Sequence, residues 1–368
     1  MTHSARAALA AVAVALAGTV LPAAPALASP PDQQWYLDEM HVTEAHRVTR
    51  GDGVTIGLLT NGLPAAHPDL DGRVLPAMRR KGGLFGGVEK APADYPLDDP
   101  PALAEMGLMV GRGGPGLLGV APDAKVQPVI CPGLADDTDA CLRWLADDGA
   151  DVIDLSHAVF PDLDAGFDGI RYALAKDVVV VMALEDGTQL PADQRKGVLL
   201  VGGLERGGKV PADATVAKDV SVRAPGGGPI GSTAENRVVT IDPSSPGGYG
   251  TPVTFDGDRA AAALVTGVVA LVRAKDPGLD APSVIDRVLR TAKDLGPSGR
   301  DDTFGYGMVD AAAAATTAPV AANPLGDPGK PDREWITWQR VVAAGAVVLL
   351  LAAIAAAVLV VRSRRRRG

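Results

Sequence analysis

The chain has 368 residues, 47% of them hydrophobic and only 4% aromatic, with 44 acidic against 35 basic side chains and a formal net charge of −9. Five arginines crowd the last seven residues, so the rest stands at about −14, a balance that argues against nucleic acid as a partner. Cys131 and Cys141 are the only cysteines, and without a CxxC or His/Cys cluster at ligand spacing neither a metal nor a cofactor is expected.

The first 28 residues read as a secretory signal peptide: Arg6, an apolar run from Ala7 to Leu21, and a small-residue site at Ala26-Leu27-Ala28. Residues 29–317 are then expected to form one domain lying outside the cytoplasm. Its first segment, Gln34–Thr49, suggests a short amphipathic helix. Val54–Leu59 is a continuous apolar run between Gly53 and Asn61-Gly62, as a strand buried on both faces would be. Arg79–Pro101, rich in Gly, Pro and charge, reads as a surface loop, and a helical pattern resumes over Met106–Val110. Further strands are expected at Ala124–Ile130, Val152–Leu155, Val178–Ala183 and Val198–Gly203, with helices over Thr138–Asp148, Gly166–Lys176 and Pro282–Ala292. Strands alternating with helices imply an α/β fold, a mainly parallel sheet with helices on both faces. Phe255–Lys275 is apolar and small from Ala260 to Ala274, too short to span a membrane, and reads as a buried central helix. Outside the cytoplasm Cys131 and Cys141 are candidates for a disulfide, two buried thiols being the alternative.

Residues 318–337 form a Pro/Gly-rich linker expected to hold the domain off the membrane. Within 338–361, Val341–Val361 gives 21 residues without a charge, long enough to cross about 30 Å of hydrocarbon. Arg362 and Arg364–Arg367 follow, so residues 362–368 are expected to be cytoplasmic and the domain outside, with Trp335 and Trp338 at the outer interface.

Several segments together resemble the subtilisin-like serine proteases (subtilases), and in particular the mycosins, membrane-anchored subtilases linked to type VII secretion. They are Trp35-Tyr36-Leu37, Gly51-Asp52-Gly53-Val54, Asn61-Gly62-Leu63 with His67-Pro68-Asp69-Leu70, Gly119-Val120-Ala121-Pro122, Asp151–Ser156 and Gly305–Ala311. The resemblance implies a three-layer subtilisin-like fold and places the family's Asp, His, oxyanion Asn and Ser at Thr60, Pro101, Glu185 and Arg259. Proline cannot relay a proton, arginine stays protonated, and a glutamate puts negative charge where an oxyanion needs a donor. A membrane-bound pseudoprotease is therefore expected, acting as a binding or scaffold module for secretion-system proteins or a peptide. An active serine endopeptidase using another constellation and a purely structural membrane protein stay open.

Ser156, His157 and Ala158 fall where the family binds extended peptides, although His157 also reads as an ordinary strand histidine; His67 reads as structural. The resemblance also brings positions 185 and 259 together, so Arg259 is expected to pair with Glu185, with Asp258 as the rival partner and release of both side chains to solvent as the other outcome.

Overall fold

The computed structural model describes residues 33–318 and residue 325, apart from 63–65, 82–86, 96–98, 115, 132–134, 157–167, 216–217, 228–236, 243–252 and 256. The expected signal peptide, membrane span and basic tail, together with His157 and Ala158, lie outside the described residues. Among those described, no helix is long and apolar enough to cross a membrane.

Two short helices open the described part of the chain, α1 (Trp35–Glu39) and α2 (Val42–Ala45). The strands β1 (Thr55–Thr60), β2 (Met78–Arg80), β3 (Val88–Lys90), β4 (Lys125–Ile130), β5 (Val152–Asp154), β6 (Val179–Ala183), β7 (Val198–Leu204) and β8 (Val222–Pro225) form one sheet in the order β3-β2-β4-β1-β5-β6-β7-β8. Every pairing is parallel except β2 with β3. A separate antiparallel pair joins β9 (Val239–Thr240) and β10 (Val253–Thr254).

Successive strand residues point to opposite faces, and both faces are apolar. Val179, Val181, Leu199 and Val201 enter one core, whereas Val180, Met182, Val198 and Leu200 enter the other. The smaller core is covered by α4 (Ala135–Asp147) and α5 (Asp168–Ala175), through Leu142, Leu145, Ile170 and Ala173. The larger core lies under α3 (Pro100–Val110), α7 (Asp258–Lys275), α8 (Ala281–Arg290) and α9 (Ala311–Thr316). A disulfide joins Cys131, just past β4, to Cys141 in α4.

The central helix α7 is buried from Ala260 to Val272 and lies across β5 to β8. Gly267 allows that approach, since a Cβ there would stand 2.5 Å from the Val120 Cβ. Three helices start on aspartate caps: the Asp99, Asp280 and Asp310 carboxylates accept from the amides of Ala102, Ser283 and Ala313.

Two expectations need correcting. Residues 79–101 are not a plain loop: β2 and β3 form a hairpin within them, and α3 already starts at Pro100. Two prolines read as a break, yet proline fits the first turn of a helix, and here the Asp99 cap turns them into a start. The strand Val152–Leu155 ends at Asp154. Leu325, in the expected linker, meets the domain: its carbonyl accepts from the Gly197 amide and its side chain packs on the larger core.

Candidate functional site

The site lies at the C-terminal edge of the sheet, where α7 begins. Thr60 ends β1, buried, its hydroxyl donating to the Gly62 carbonyl at 2.9 Å. Asp99 ties this strand end to α3: one carboxylate oxygen accepts from the Asn61 amide at 2.6 Å, the other from the Ala102 amide at 3.2 Å. Pro101 is therefore held beside the end of β1, in the exposed first turn of α3.

The chain then turns sharply from β6 into the one-turn helix α6 (Leu184–Gly187), which carries Glu185 and Asp186. Opposite it, Gly257 caps α7 at φ +93°, a conformation that favours glycine. Arg259, the second residue of α7, reaches back to α6. Its Nε and Nη2 donate to the two oxygens of Asp186 at 3.2 and 3.1 Å, a side-on bidentate pair, and Nε lies 3.3 Å from the Glu185 carboxylate. The expected partner Glu185 is thus in contact, but the two-bonded partner is Asp186. Asp258, the expected rival, is engaged elsewhere: it accepts from the Gly203 amide at 2.7 Å and the Glu185 amide at 3.1 Å, bracing α6 and β7 against the start of α7.

Charge is unevenly distributed around this point. Glu105, one turn along α3 from Pro101, is fully buried; burial first, then Asp154 and Asp99, holds its carboxyl well above the usual carboxylate range. Burial, followed by Asp186 and Asp258, also raises the Glu185 pKa, with Arg259 opposing. The Asp258 carboxyl is raised by burial in the same way, against the pull of its two amide donors and Arg223. Burial works against the Arg259 charge, but Asp186 and Glu185 outweigh it, so the guanidinium stays a firm cation. The group at position 259 cannot act as a nucleophile, and it stabilises neighbouring carboxylates rather than accepting protons.

Three histidines are committed elsewhere. His41 pairs with Asp310 at 2.8 Å, the His46 Nε2–H donates to the Val120 carbonyl at 2.8 Å, and the buried His67 Nδ1 accepts from the Asp69 amide at 3.2 Å. His67 caps the short 3-10 turn Pro68–Leu70, as the structural reading of it expects. Ser156 is buried, its amide donating to Asp154, and its neighbours His157 and Ala158 lie outside the described residues. No group of acids, histidines and cysteines suited to a metal occurs among the described residues.

Asp99, Glu105 and Asp186 were not picked out from the sequence. Glu105 carried a signal, a lone charge inside the apolar run Ala102–Val110. Asp186 carried none beyond its place next to Glu185.

A mainly parallel sheet with helices on both faces and a long helix starting at its C-terminal edge defines an α/β domain, and the class within that architecture comes from the family match. The subtilase family profile matches residues 51–307, and the chain belongs to the subtilase family. Mycosin-1 of Mycobacterium tuberculosis is 31% identical over 387 aligned positions, covering 85% of this chain and 82% of its own length. Fervidolysin of Fervidobacterium pennivorans is 28% identical, covering 77% of this chain and 44% of its own. Among solved structures, the MycP3 protease from the type VII (ESX-3) secretion system aligns with a TM-score of 0.61 at 26% identity, over 81% of this chain and 91% of that one. Fervidolysin aligns with a TM-score of 0.66 at 24% identity, over 80% and 48%, a likeness of fold. The chain is a mycosin-like subtilase.

Proposed function

We propose that this mycosin-like subtilase is a membrane-anchored pseudoprotease that works by binding, as a scaffold or peptide-recognition module near a type VII secretion system. The observation that carries the reading is the ion pair at the start of α7, where Arg259 is held by Asp186 and Glu185; the resemblance read from the sequence assigns this position to the family's nucleophile. Hydrolysis of a peptide bond needs a nucleophile, a base to take its proton and a donor for the oxyanion. Thr60, Pro101, Glu185 and Arg259 supply none of these at the positions where the family has them. The intact packing around the site supports retention for a binding role, since the fold is kept while the chemistry is replaced.

Membrane anchoring is proposed from the uncharged run Val341–Val361 and the arginines after it. The link to type VII secretion is drawn from the relatives and is a proposal for this chain.

The test is to incubate the purified full chain in detergent with casein and a fluorogenic peptide library, and to measure capture of the same peptides. The expected result is no cleavage above a contaminant control and retention of a subset of extended peptides. Cleavage that co-purifies with the chain and survives that control would favour an active endopeptidase with a different constellation. Capture of neither peptides nor secretion-system proteins would remove the binding role.

A further inference from the structure

Arg223 is fully buried in β8, a charge shielded from water. Its backbone is fixed from beyond the sheet: the amide donates to the Gly307 carbonyl at 2.8 Å, and the carbonyl accepts from the Val309 amide at 2.9 Å. The side chain is fixed as well. Nε donates to the Thr303 carbonyl at 2.5 Å, Nη1 to the Gly203 carbonyl at 3.1 Å and Nη2 to the Thr215 carbonyl at 3.4 Å. Gly202, opposite Arg223 in register on β7, leaves room for the guanidinium, since a Cβ there would stand 2.4 Å from Nη1. Backbone carbonyls satisfy these donors but do not neutralise the charge. Gly203 links the cation to the candidate site: its carbonyl accepts from Arg223, and its amide donates to Asp258 at 2.7 Å. Asp258 is buried too, and Arg259, next to it in sequence, is spent on Asp186 and Glu185 at the cleft. Burial pulls the Arg223 pKa down, and Asp258 ahead of Asp301 opposes it; burial raises the Asp258 carboxyl, and the Gly203 amide and Arg223 oppose that. Asp301 is the rival counter-charge. It holds the Thr303 and Phe304 amides of its own loop, whereas the other oxygen of Asp258 holds the Glu185 amide at 3.1 Å.

We infer that Arg223 is a positioning residue of the candidate site: it is the internal counter-charge of Asp258, and through Gly203 and that carboxylate it keeps α6 and the start of α7 in the arrangement where Arg259 meets Asp186. The site then contains two separate charge groups, Arg259 with Asp186 and Glu185 facing the cleft, and Arg223 with Asp258 behind it. This role concerns how the site is held, not what enters it, and does not depend on the binding reading.

The test is a double-mutant cycle in the full chain, with urea unfolding at pH 8 of Arg223→Gln, Asp258→Asn and the variant carrying both. Glutamine keeps a donor and removes the charge. Arg223→Gln is expected to lower the folding equilibrium constant about tenfold more in the parent than in the Asp258→Asn background. Equal losses in the two backgrounds overturn the pairing, and so does a larger coupling to Asp301→Asn than to Asp258→Asn. A second reading does not need the glutamine variant to fold: hydrogen exchange at the Glu185 amide, which bonds Asp258 and not Arg223. Arg223→Lys keeps the charge and should leave that amide within about threefold of the parent rate, whereas Asp258→Ala, which removes the acceptor, should speed it about tenfold or more. Exchange in Arg223→Lys as fast as in Asp258→Ala contradicts a role carried by charge.

Discussion

Arg259 matters most where its neighbours are ionised. Replacing it with alanine leaves Glu185 and Asp186 side by side with no cation, while Asp258 stays close behind. The guanidinium is 37% exposed, so solvent screening holds the expected loss to about 1 kcal/mol at pH 8. Because the Glu185 pKa is raised, the repulsion fades as acid neutralises that carboxyl. The prediction is a lower Tm for Arg259→Ala than for the parent at pH 8, with the gap narrowing towards pH 4; a gap that widens in acid would contradict the pairing. Asp258 is the less forgiving residue, being buried and accepting two amides. Asp258→Ala strands both donors and is expected to cost about 1–3 kcal/mol, measured by urea unfolding. The Arg259–Glu185 contact could be anticipated from the fold resemblance, since it needed only the adjacency of two positions. The preference for Asp186 could not, because it depends on how one turn of helix rotates its side chains.

Helix α7 illustrates what sequence patterning does and does not reveal. Its apolar, small-residue run gives burial and length directly, and the observed Asp258–Lys275 falls within the expected Phe255–Lys275. What patterning does not give is why a glycine sits in mid-helix, where it costs about 1 kcal/mol against alanine. The answer is Val120, whose Cβ would meet an added methyl at 2.5 Å. Gly267→Ala should therefore destabilise despite the gain in helix propensity, by about 1–3 kcal/mol on chemical denaturation, because neither packed backbone can easily give way. A neutral or stabilising result would mean that the two segments are not in close contact. The reading of α3 failed for the opposite reason. Pro100 and Pro101 look like breakers until the cap at Asp99 is seen, and that cap is set by a long-range bond to Asn61 that no local pattern contains.

Across the whole molecule, the parallel sheet and its two cores follow from apolar runs that alternate with helices. The hairpin β2–β3 and the short pair β9–β10 escaped because strands of two or three residues carry too little periodicity to register. The opening segment is bound to the rest of the domain by contacts that include His46, half-buried against the Val120 carbonyl; burial lowers its pKa below the ordinary histidine value. A histidine that binds a proton less readily when folded favours unfolding in acid, so its contribution is complete above pH ~6.5 and declines as pH falls below that. Thermal melts from pH 7.5 to 5 should show this decline, and it should be smaller in His46→Gln.

These scales meet at the start of α7, where the Arg259 guanidinium is tied to two carboxylates, the pairing on which the proposed loss of catalysis rests. The most direct test is to treat the purified full chain with a fluorophosphonate, then measure its intact mass, with an active subtilase as the control. The account predicts an unmodified mass for this chain beside complete labelling of the control; a stoichiometric adduct on any serine lining the cleft would contradict it.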